Sequence, residues 1–370
     1  MIFVLYFFII LYCIAIAFLI YGFTKVNTID YIGLTPKTKF SIIVPFRNEA
    51  ENLPVLLASL SKLNYPMELF EVILVDDFSE EEFNIPLSSR AQSRDNIQII
   101  KNIRVSNSPK KDAIVTAMQI VTTDWIITTD ADCLVNTNWL LTLDNYIQLH
   151  DVAMIAGSVT YDRGNSFLHH FQQLDLASLQ GATIGSFGIN KGFMCNGANF
   201  AYTKSLFLDV NGFEGNDKIA SGDDVFLLQK AIAKSPEKVH YLKSRNTIVT
   251  TKPLNDWKSL FYQRVRWASK TSSYQSTFGI RLGLLVFVGN LSWILGIGYW
   301  VLGLTTFQNV FVLVALKFLV DTVLIYKSNH FLNKSKMRYL ILSSLFYPFF
   351  STSVALYSLF GKYQWKGRTF

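Results

Sequence analysis

Apolar and polar positions are arranged in two different ways along this chain. Residues 1–24 form one apolar run without a charged side chain, and residues 282–316 and 339–361 are uncharged as well. At about 1.5 Å per helical residue, the first run is long enough to cross a hydrocarbon core of about 30 Å. It predicts a retained transmembrane anchor over 1–24 rather than a cleaved signal peptide, because no basic segment precedes it and the run is too long. Further on, the pattern predicts spans at about 281–304, 307–326 and 339–360, a bundle within 279–361 that ends in a basic tail, 362–370. Lys317 and Asp321 stand four residues apart in the second span, either as an ion pair that softens the cost of two charges in lipid or as a functional polar site facing the bundle. Pro348 leaves two forms open for the third: a continuous helix or a re-entrant hairpin.

Between about 38 and 275 the pattern changes to short strands alternating with helices. Phe40–Pro45, Phe70–Val75, Ile97–Lys101 and Asp124–Thr129 are short β-branched runs, and helical patterns cover Glu49–Leu60, Lys111–Ile120 and Val225–Ala233. Such alternation predicts an α/β domain with a mainly parallel sheet covered on both faces. Ligands of such sheets sit beyond the carboxyl ends of the strands. Acids fall at those ends here, Asp76 and Asp77 after the second run and Asp130 and Asp132 after the fourth.

Composition sharpens the division. Half the residues are hydrophobic and only 16% are charged, which excludes a disordered chain. The apolar excess is concentrated in the terminal spans. Lys25, Lys37 and Lys39 follow the anchor directly, so the positive-inside rule puts the N-terminus outside and the central domain in the cytoplasm of a bacterial plasma membrane. Lys327, Lys334, Lys336 and Arg338 make the loop before the last span basic too. Three complete C-terminal spans would then leave Lys362, Lys366 and Arg368 outside, against the same rule. The net charge of +7 suits an anionic membrane surface and a phosphorylated substrate, and no nucleic-acid partner is expected. The cysteines, Cys13, Cys133 and Cys195, form neither a disulfide framework nor a metal-type spacing.

The chain carries no dinucleotide fingerprint and no phosphate-binding P-loop. Asp130-Ala131-Asp132 offers another way to hold a nucleotide diphosphate, with one carboxylate on a divalent cation and the other on a ribose hydroxyl or metal-bound water. A solvated turn has the same spacing. Ser221-Gly222-Asp223-Asp224 opens a helix, where two acids are either functional or simply favourable in the first turn. Gln263, Arg266 and Trp267 share one helical face, as a diphosphate and sugar site or as an interfacial helix with Trp257 as a second membrane anchor. His169-His170 has no matching partner and reads as ordinary surface.

Together these residues carry a resemblance. The segments 41–49 (Ser-Ile-Ile-Val-Pro-Phe-Arg-Asn-Glu), 75–79 (Val-Asp-Asp-Phe-Ser), Lys110-Lys111, 128–133 (Thr-Thr-Asp-Ala-Asp-Cys), 195–202 (Cys-Asn-Gly-Ala-Asn-Phe-Ala-Tyr), 221–224 and 263–267 (Gln-Arg-Val-Arg-Trp) stand in order. The chain resembles the membrane-bound inverting glycosyltransferases of family 2, with a GT-A domain over 38–275. The resemblance implies that Pro45, Arg47 and Glu49 line the nucleoside pocket, that Asp77 contacts the base, and that Lys111 and Asp130 lie along the nucleotide. It implies that Asp132, with Asp130, binds a divalent cation, Mg²⁺ or Mn²⁺. Asp224 matches the catalytic base, with Asp223 where many members have Glu, and Gln263, Arg266 and Trp267 match the motif that holds the donor diphosphate and the acceptor. Phe78 departs from a common Gly.

The implied activity is transfer of a sugar from a nucleotide sugar, UDP by default, to a lipid-linked or glycan acceptor at a membrane, in glycolipid or cell-surface polysaccharide synthesis. A processive polysaccharide synthase shares these motifs but needs more helices for a polymer channel. An inactive membrane-tethered scaffold is the reading from a different class, and clustered acids at strand ends speak against it.

Overall fold

The β-branched runs become strands and the apolar runs become long helices in the computed structural model of the protein, which describes residues 2–31, 33–80, 96–216, 219, 221–334, 336–361, 364–365 and 368–369. Lys362 and Lys366 of the basic tail lie outside the described residues. In chain order the helices are α1 (Ile2–Lys25), α2 (Leu53–Leu60), α3 (Pro109–Met118), α4 (Trp139–Leu149), α5 (Phe167–Gly188), α6 (Lys204–Asp209), α7 (Asp223–Lys234), α8 (Trp257–Ser269), α9 (Thr277–Val301), α10 (Phe307–Leu332) and α11 (Leu340–Phe360). The strands are β1 (Phe40–Phe46), β2 (Phe70–Asp76), β3 (Ile97–Lys101), β4 (Trp125–Thr128), β5 (Cys133–Leu134), β6 (Met154–Gly157), β7 (Val159–Tyr161), β8 (Phe200–Thr203), β9 (Val239–Leu242), β10 (Val249–Thr251), β11 (Gln364–Trp365) and β12 (Arg368–Thr369). They group into an α/β unit, Asn27–Asp162 with Met194–Lys252, and a helical unit, Met1–Val26 with Arg163–Phe193 and Pro253–Phe370.

In the α/β unit a seven-stranded sheet runs in the order β3-β2-β1-β4-β8-β6-β9. Every pairing is parallel except those of β8, which is antiparallel to both β4 and β6. Ile42, Ile43 and Val44 of β1 are fully buried, as a central parallel strand requires. Pro45 is tolerated there because β1 pairs with β4 only as far as Ile43, so the proline stands past the last rung on that side. Leu53, Leu56, Leu57 and Leu60 give α2 one buried stripe, which joins Phe40, Trp139 and Leu140 in the main core. From β1 the chain builds β2 and β3 on one side and then returns to add β4 on the other, so the order reverses at β1. This is the crevice where open α/β sheets bind ligands. A smaller sheet, β5-β10-β7, is attached beyond β4.

The helical unit contains four helices long and apolar enough to cross a membrane, α1, α9, α10 and α11. The last is continuous through Pro348, so of the two forms left open for the third C-terminal span the continuous helix is the one adopted. α10 runs six residues past its expected end, because Ser328 and Asn329 are buried by packing although they are polar. Asn329 accepts a hydrogen bond from Gln173 on α5.

Two devices hold these helices together. Lys317 and Asp321 form the expected pair at 2.6 Å, and the Tyr12 hydroxyl donates to the other Asp321 oxygen at 2.6 Å. The Lys317 ammonium also lies 4.8 Å from the Tyr12 ring, so α1 and α10 are joined by a satisfied polar contact. The second device is glycine. A Cβ at Gly185 of α5 would run into the Leu19 carbonyl of α1, and one at Gly188 into the Gly22 carbonyl. Only backbones without side chains can approach this closely, the small-residue packing typical of helices in lipid.

Gly185→Val should therefore lower the unfolding temperature of the detergent-solubilised protein sharply, because backbone cannot yield as a flexible side chain can. Overpacking of roughly 1–3 kcal/mol or more is expected. Gly298→Ala, where a Cβ meets nothing within 4 Å, should leave it unchanged or slightly raised. Equal effects of the two substitutions would contradict the close α1–α5 crossing.

Candidate active site

Helix α3 begins with Pro109 at its first position, after Ser108, and this start sets Lys110 and Lys111 on different sides of the helix. Lys111 is 2% exposed, and its ammonium donates to the Asn216 and Ile219 carbonyls at 2.6 and 2.9 Å. Lys110 takes the other direction. Its ammonium is 2.7 Å from Asp130 Oδ1, just past the end of β4, and 3.3 Å from Asp223 Oδ2 at the start of α7. Burial alone would lower the Lys110 pKa, but Asp130, Asp223 and Asp224 outweigh it, and the net shift is upward.

Asp224 is fixed from two sides: its Oδ2 accepts from the Gly197 amide at 3.0 Å and its Oδ1 from the Val225 amide at 2.7 Å. Gly222 precedes the pair with φ of 87°, a left-handed conformation that glycine adopts without strain, and it turns the chain into α7. Gly197 meets a different need. A Cβ there would lie 2.9 Å from Asp223 Oδ2 and 3.1 Å from Lys110 Nζ, so a side chain would push the pair apart.

Asp132 stands beside this group. Its Oδ2 accepts from Thr251 of β10 at 3.1 Å, so the small sheet orients it. Cys133, which follows, has its thiol pKa raised by burial and by Asp132 and Asp130, which keeps it a neutral thiol rather than a nucleophile. Among the described residues no three His, Cys, Asp or Glu side chains gather as a metal cage. Asp130 and Asp132, both part-exposed, are instead the sparse carboxylate set that suits Mg²⁺ or Mn²⁺ when ligand phosphates complete the shell.

At the ends of β1 and β2 a second group forms. Asp77 is buried and accepts from Asn102 at 2.8 Å, with the Arg104 guanidinium at 3.5 Å. Arg104 is itself held by Asp112 of α3 at 3.0 Å. Arg47 donates to the Asp77 and Phe78 carbonyls and reaches Glu80 at 3.0 Å, bracing the turn after β2. Phe78, where a Gly is common in the resemblance, adopts φ of 59°. Pro45 is half-buried at the end of β1, and Glu49 accepts from Asn52.

Of the residues expected at the site, the fold brings Asp130, Asp132, Asp223 and Asp224 to one end of the sheet in the α/β unit, with Pro45, Arg47, Glu49 and Asp77 at the ends of the neighbouring strands. Lys111 is directed into the interior, and Lys110 stands where a basic residue was expected. Gly197 belongs to the 195–202 segment, and its role follows from the space around it.

Gln263, Arg266 and Trp267 lie on α8 in the helical unit. Arg264 between them pairs with Asp175 of α5 at 2.6 Å, donates to Gln263 Oε1, and stacks over the Trp267 ring at 4.2 Å. Cation–π stacking of this kind fixes the indole's position.

A mixed sheet with its order reversing at β1 and carboxylates grouped past β4 is a GT-A fold with attached membrane helices. The solved structure of a mannosyltransferase from Pyrobaculum calidifontis, in complex with GDP-Man and Mn²⁺, has the same overall fold, with a TM-score of 0.58 over 96% of both chains at 13% identity. The family model described as glycosyl transferase family 2 matches residues 41–210, a little under half of the chain. It is 29% identical over 128 residues to the poly(ribitol-phosphate) beta-N-acetylglucosaminyltransferase TarS of Staphylococcus aureus, covering 34% of this chain and 22% of the relative. It is 35% identical over 98 residues to an undecaprenyl-phosphate 4-deoxy-4-formamido-L-arabinose transferase of Yersinia pestis, covering 26% of this chain and 30% of the relative. The chain thus spans less than a third of either curated relative.

Lys110→Met would leave Asp130 and Asp223 facing each other without their cation. Breaking a buried pair costs roughly 3–5 kcal/mol, and with Asp130 41% exposed a loss of roughly 2–3 kcal/mol is expected. Because the Lys110 pKa is raised above 10.5, its contribution is complete below that value and is lost only as pH climbs through the folded value. The stability difference from wild type, read by thermal unfolding, should therefore be flat between about pH 6 and about pH 9. A difference that shrinks across that range would contradict a charged, paired Lys110.

Proposed function

We propose that the protein is a membrane-anchored inverting glycosyltransferase that moves a sugar from a nucleotide sugar, most simply a UDP-sugar, to a lipid-linked or glycan acceptor. The observation that carries this reading is the Lys110–Asp130–Asp223–Asp224 cluster at the switch point of the sheet. The curated relatives are named for transferring sugar units to acceptors that carry phosphate, a polymer in one and a lipid in the other, which supports an acceptor of this kind. The GDP-Man and Mn²⁺ of the structural neighbour keep a GDP-sugar among the donors to test.

In this reading Pro45, Arg47, Glu49 and Asp77 form the nucleoside side of the pocket. Asp130 and Asp132 would hold a Mg²⁺ or Mn²⁺ ion, which supplies positive charge to the leaving diphosphate. Asp224, aimed by the Gly197 and Val225 amides, takes the proton of the acceptor hydroxyl as it attacks the anomeric carbon from the side opposite the diphosphate. Lys110 keeps Asp130 and Asp223 together while Asp224 remains available for proton transfer. Gln263, Arg266 and Trp267 of the helical unit are assigned to acceptor recognition on the strength of their motif, with Arg264 and Asp175 setting their orientation. In this reading the α/β domain works on the cytoplasmic face of the plasma membrane, which the lysines after α1 support.

The test is a panel of UDP- and GDP-sugars incubated with the full-length protein, Mg²⁺ or Mn²⁺, and a membrane lipid extract. Asp224→Asn should slow transfer about 10²–10⁴-fold while donor binding, measured by calorimetry, changes less than about threefold. Unchanged transfer would remove Asp224 as the base, and loss of donor binding would move it to the nucleotide pocket. A single addition, rather than a ladder of products, separates this reading from a processive synthase.

A further inference from the structure

The helical unit holds a groove of about 600 Å³ that the proposed transfer reaction does not use. Its walls are apolar, from Ala15 and Phe18 of α1 and Phe278 and Leu282 of α9, and Tyr21, Lys25, Asn190 and Lys191 line it as well. Gly188 and Ile189 pack against Gly22. That contact brings the end of α5, and Lys191 just beyond it, to the last turn of α1, where Lys25 is the final residue. The basic groups therefore collect at one end and the apolar walls run away from them.

Four observations say what fits this shape. Lys25 is the first charge after the uncharged stretch of α1, so it marks the membrane boundary. Tyr21, 54% exposed, lies 5.0 Å beneath the Lys25 ammonium, the aromatic and basic pairing found at that level. From Lys25 up to Ala15 is about 15 Å of helix, close to half of a hydrocarbon core of about 30 Å, which is the depth of one leaflet. Finally, Lys25 and Lys191 are both exposed, and neither is in an ion pair among the described residues. A groove one leaflet deep, apolar along its length and doubly basic at its mouth, complements one acyl chain and one phosphate.

We propose that this groove binds one anionic glycerophospholipid from the leaflet next to Lys25, with an acyl chain along Phe18, Phe278 and Leu282 and the phosphodiester between Lys25 and Lys191. Basic pockets between membrane helices recognise lipid headgroups in this way. The occupancy ties α1 to α9 beside the close α1–α5 crossing. It is independent of the donor and acceptor assigned above.

Native mass spectrometry of the full-length protein released from mixed micelles would test it, with phosphatidylglycerol and phosphatidylcholine of identical chains as probes. Wild type should retain one phosphatidylglycerol in preference to phosphatidylcholine. Lys25→Gln and Lys191→Gln should each reduce that preference about fivefold, and the double variant should abolish it. Leu282→Trp, which fills the groove, should reduce retention of both lipids. Lys327→Gln with Lys334→Gln removes as much charge elsewhere and should leave the preference intact. The proposal is overturned if the double variant retains phosphatidylglycerol like wild type, or if the Lys327/Lys334 pair loses it equally. It is also overturned if a phosphomonoester lipid outcompetes the phosphodiester, or if the same spectra show a dimer in place of the lipid adduct.

Discussion

One ammonium group organises the carboxyl end of the sheet's central strands. Lys110 belongs to α3, Asp130 to the end of β4 and Asp223 to the start of α7, three segments far apart in sequence that this cation brings within 3.3 Å of itself. Gly197 leaves room for the pair, and its amide also holds Asp224. Three carboxylates facing one ammonium leave two negative charges uncompensated among these four groups. A nucleotide diphosphate approaching them would meet repulsion, and this gives the proposed divalent ion its physical reason. The lysine and the cation then have separate tasks: the first holds the acids together, the second makes their charge acceptable to a phosphate.

Much of this arrangement was legible in the chain. A strand that ends in acids identifies itself by a β-branched run followed by charge, so Asp77, Asp130 and Asp132 were found at the ends of β2 and β4. What sequence could not separate was Lys110 from Lys111. Adjacent residues in a helix point about 100° apart, and which of them meets the acids depends on how α3 is rotated against the sheet. That rotation is set by packing: Ala113, Ile114 and Ala117 are buried with Lys111, and Lys110 is left facing the strand ends.

The membrane helices show the same limit in another form. Hydropathy located α1, α9, α10 and α11 because lipid selects apolar side chains, and it says nothing of α5, which packs against α1. That helix carries Gln172, Gln173, Asp175 and Gln180, all buried, and it packs through Gly181, Gly185 and Gly188. Small and polar residues give helices in lipid their contact and specificity, while the hydropathy of the same residues says nothing of it. The overlong end of α10 has this origin too, since Ser328 and Asn329 are polar and enclosed.

Helix α5 also changes how the last motif is understood. In sequence, Gln263, Arg266 and Trp267 form a face that looks ready for a ligand, and Arg264 looks incidental. In the fold, Arg264 is 6% exposed, bonded to Asp175 of α5 and to Gln263, and stacked on the Trp267 ring. One face of the indole is therefore covered by protein, and a sugar would meet the opposite face or the ring edge. Because the guanidinium is planar and always charged, it bonds Asp175 and Gln263 through its edge while its face lies on the indole, which a lysine could not do. The orientation of the motif thus depends on an acid in the one long helix that hydropathy did not mark.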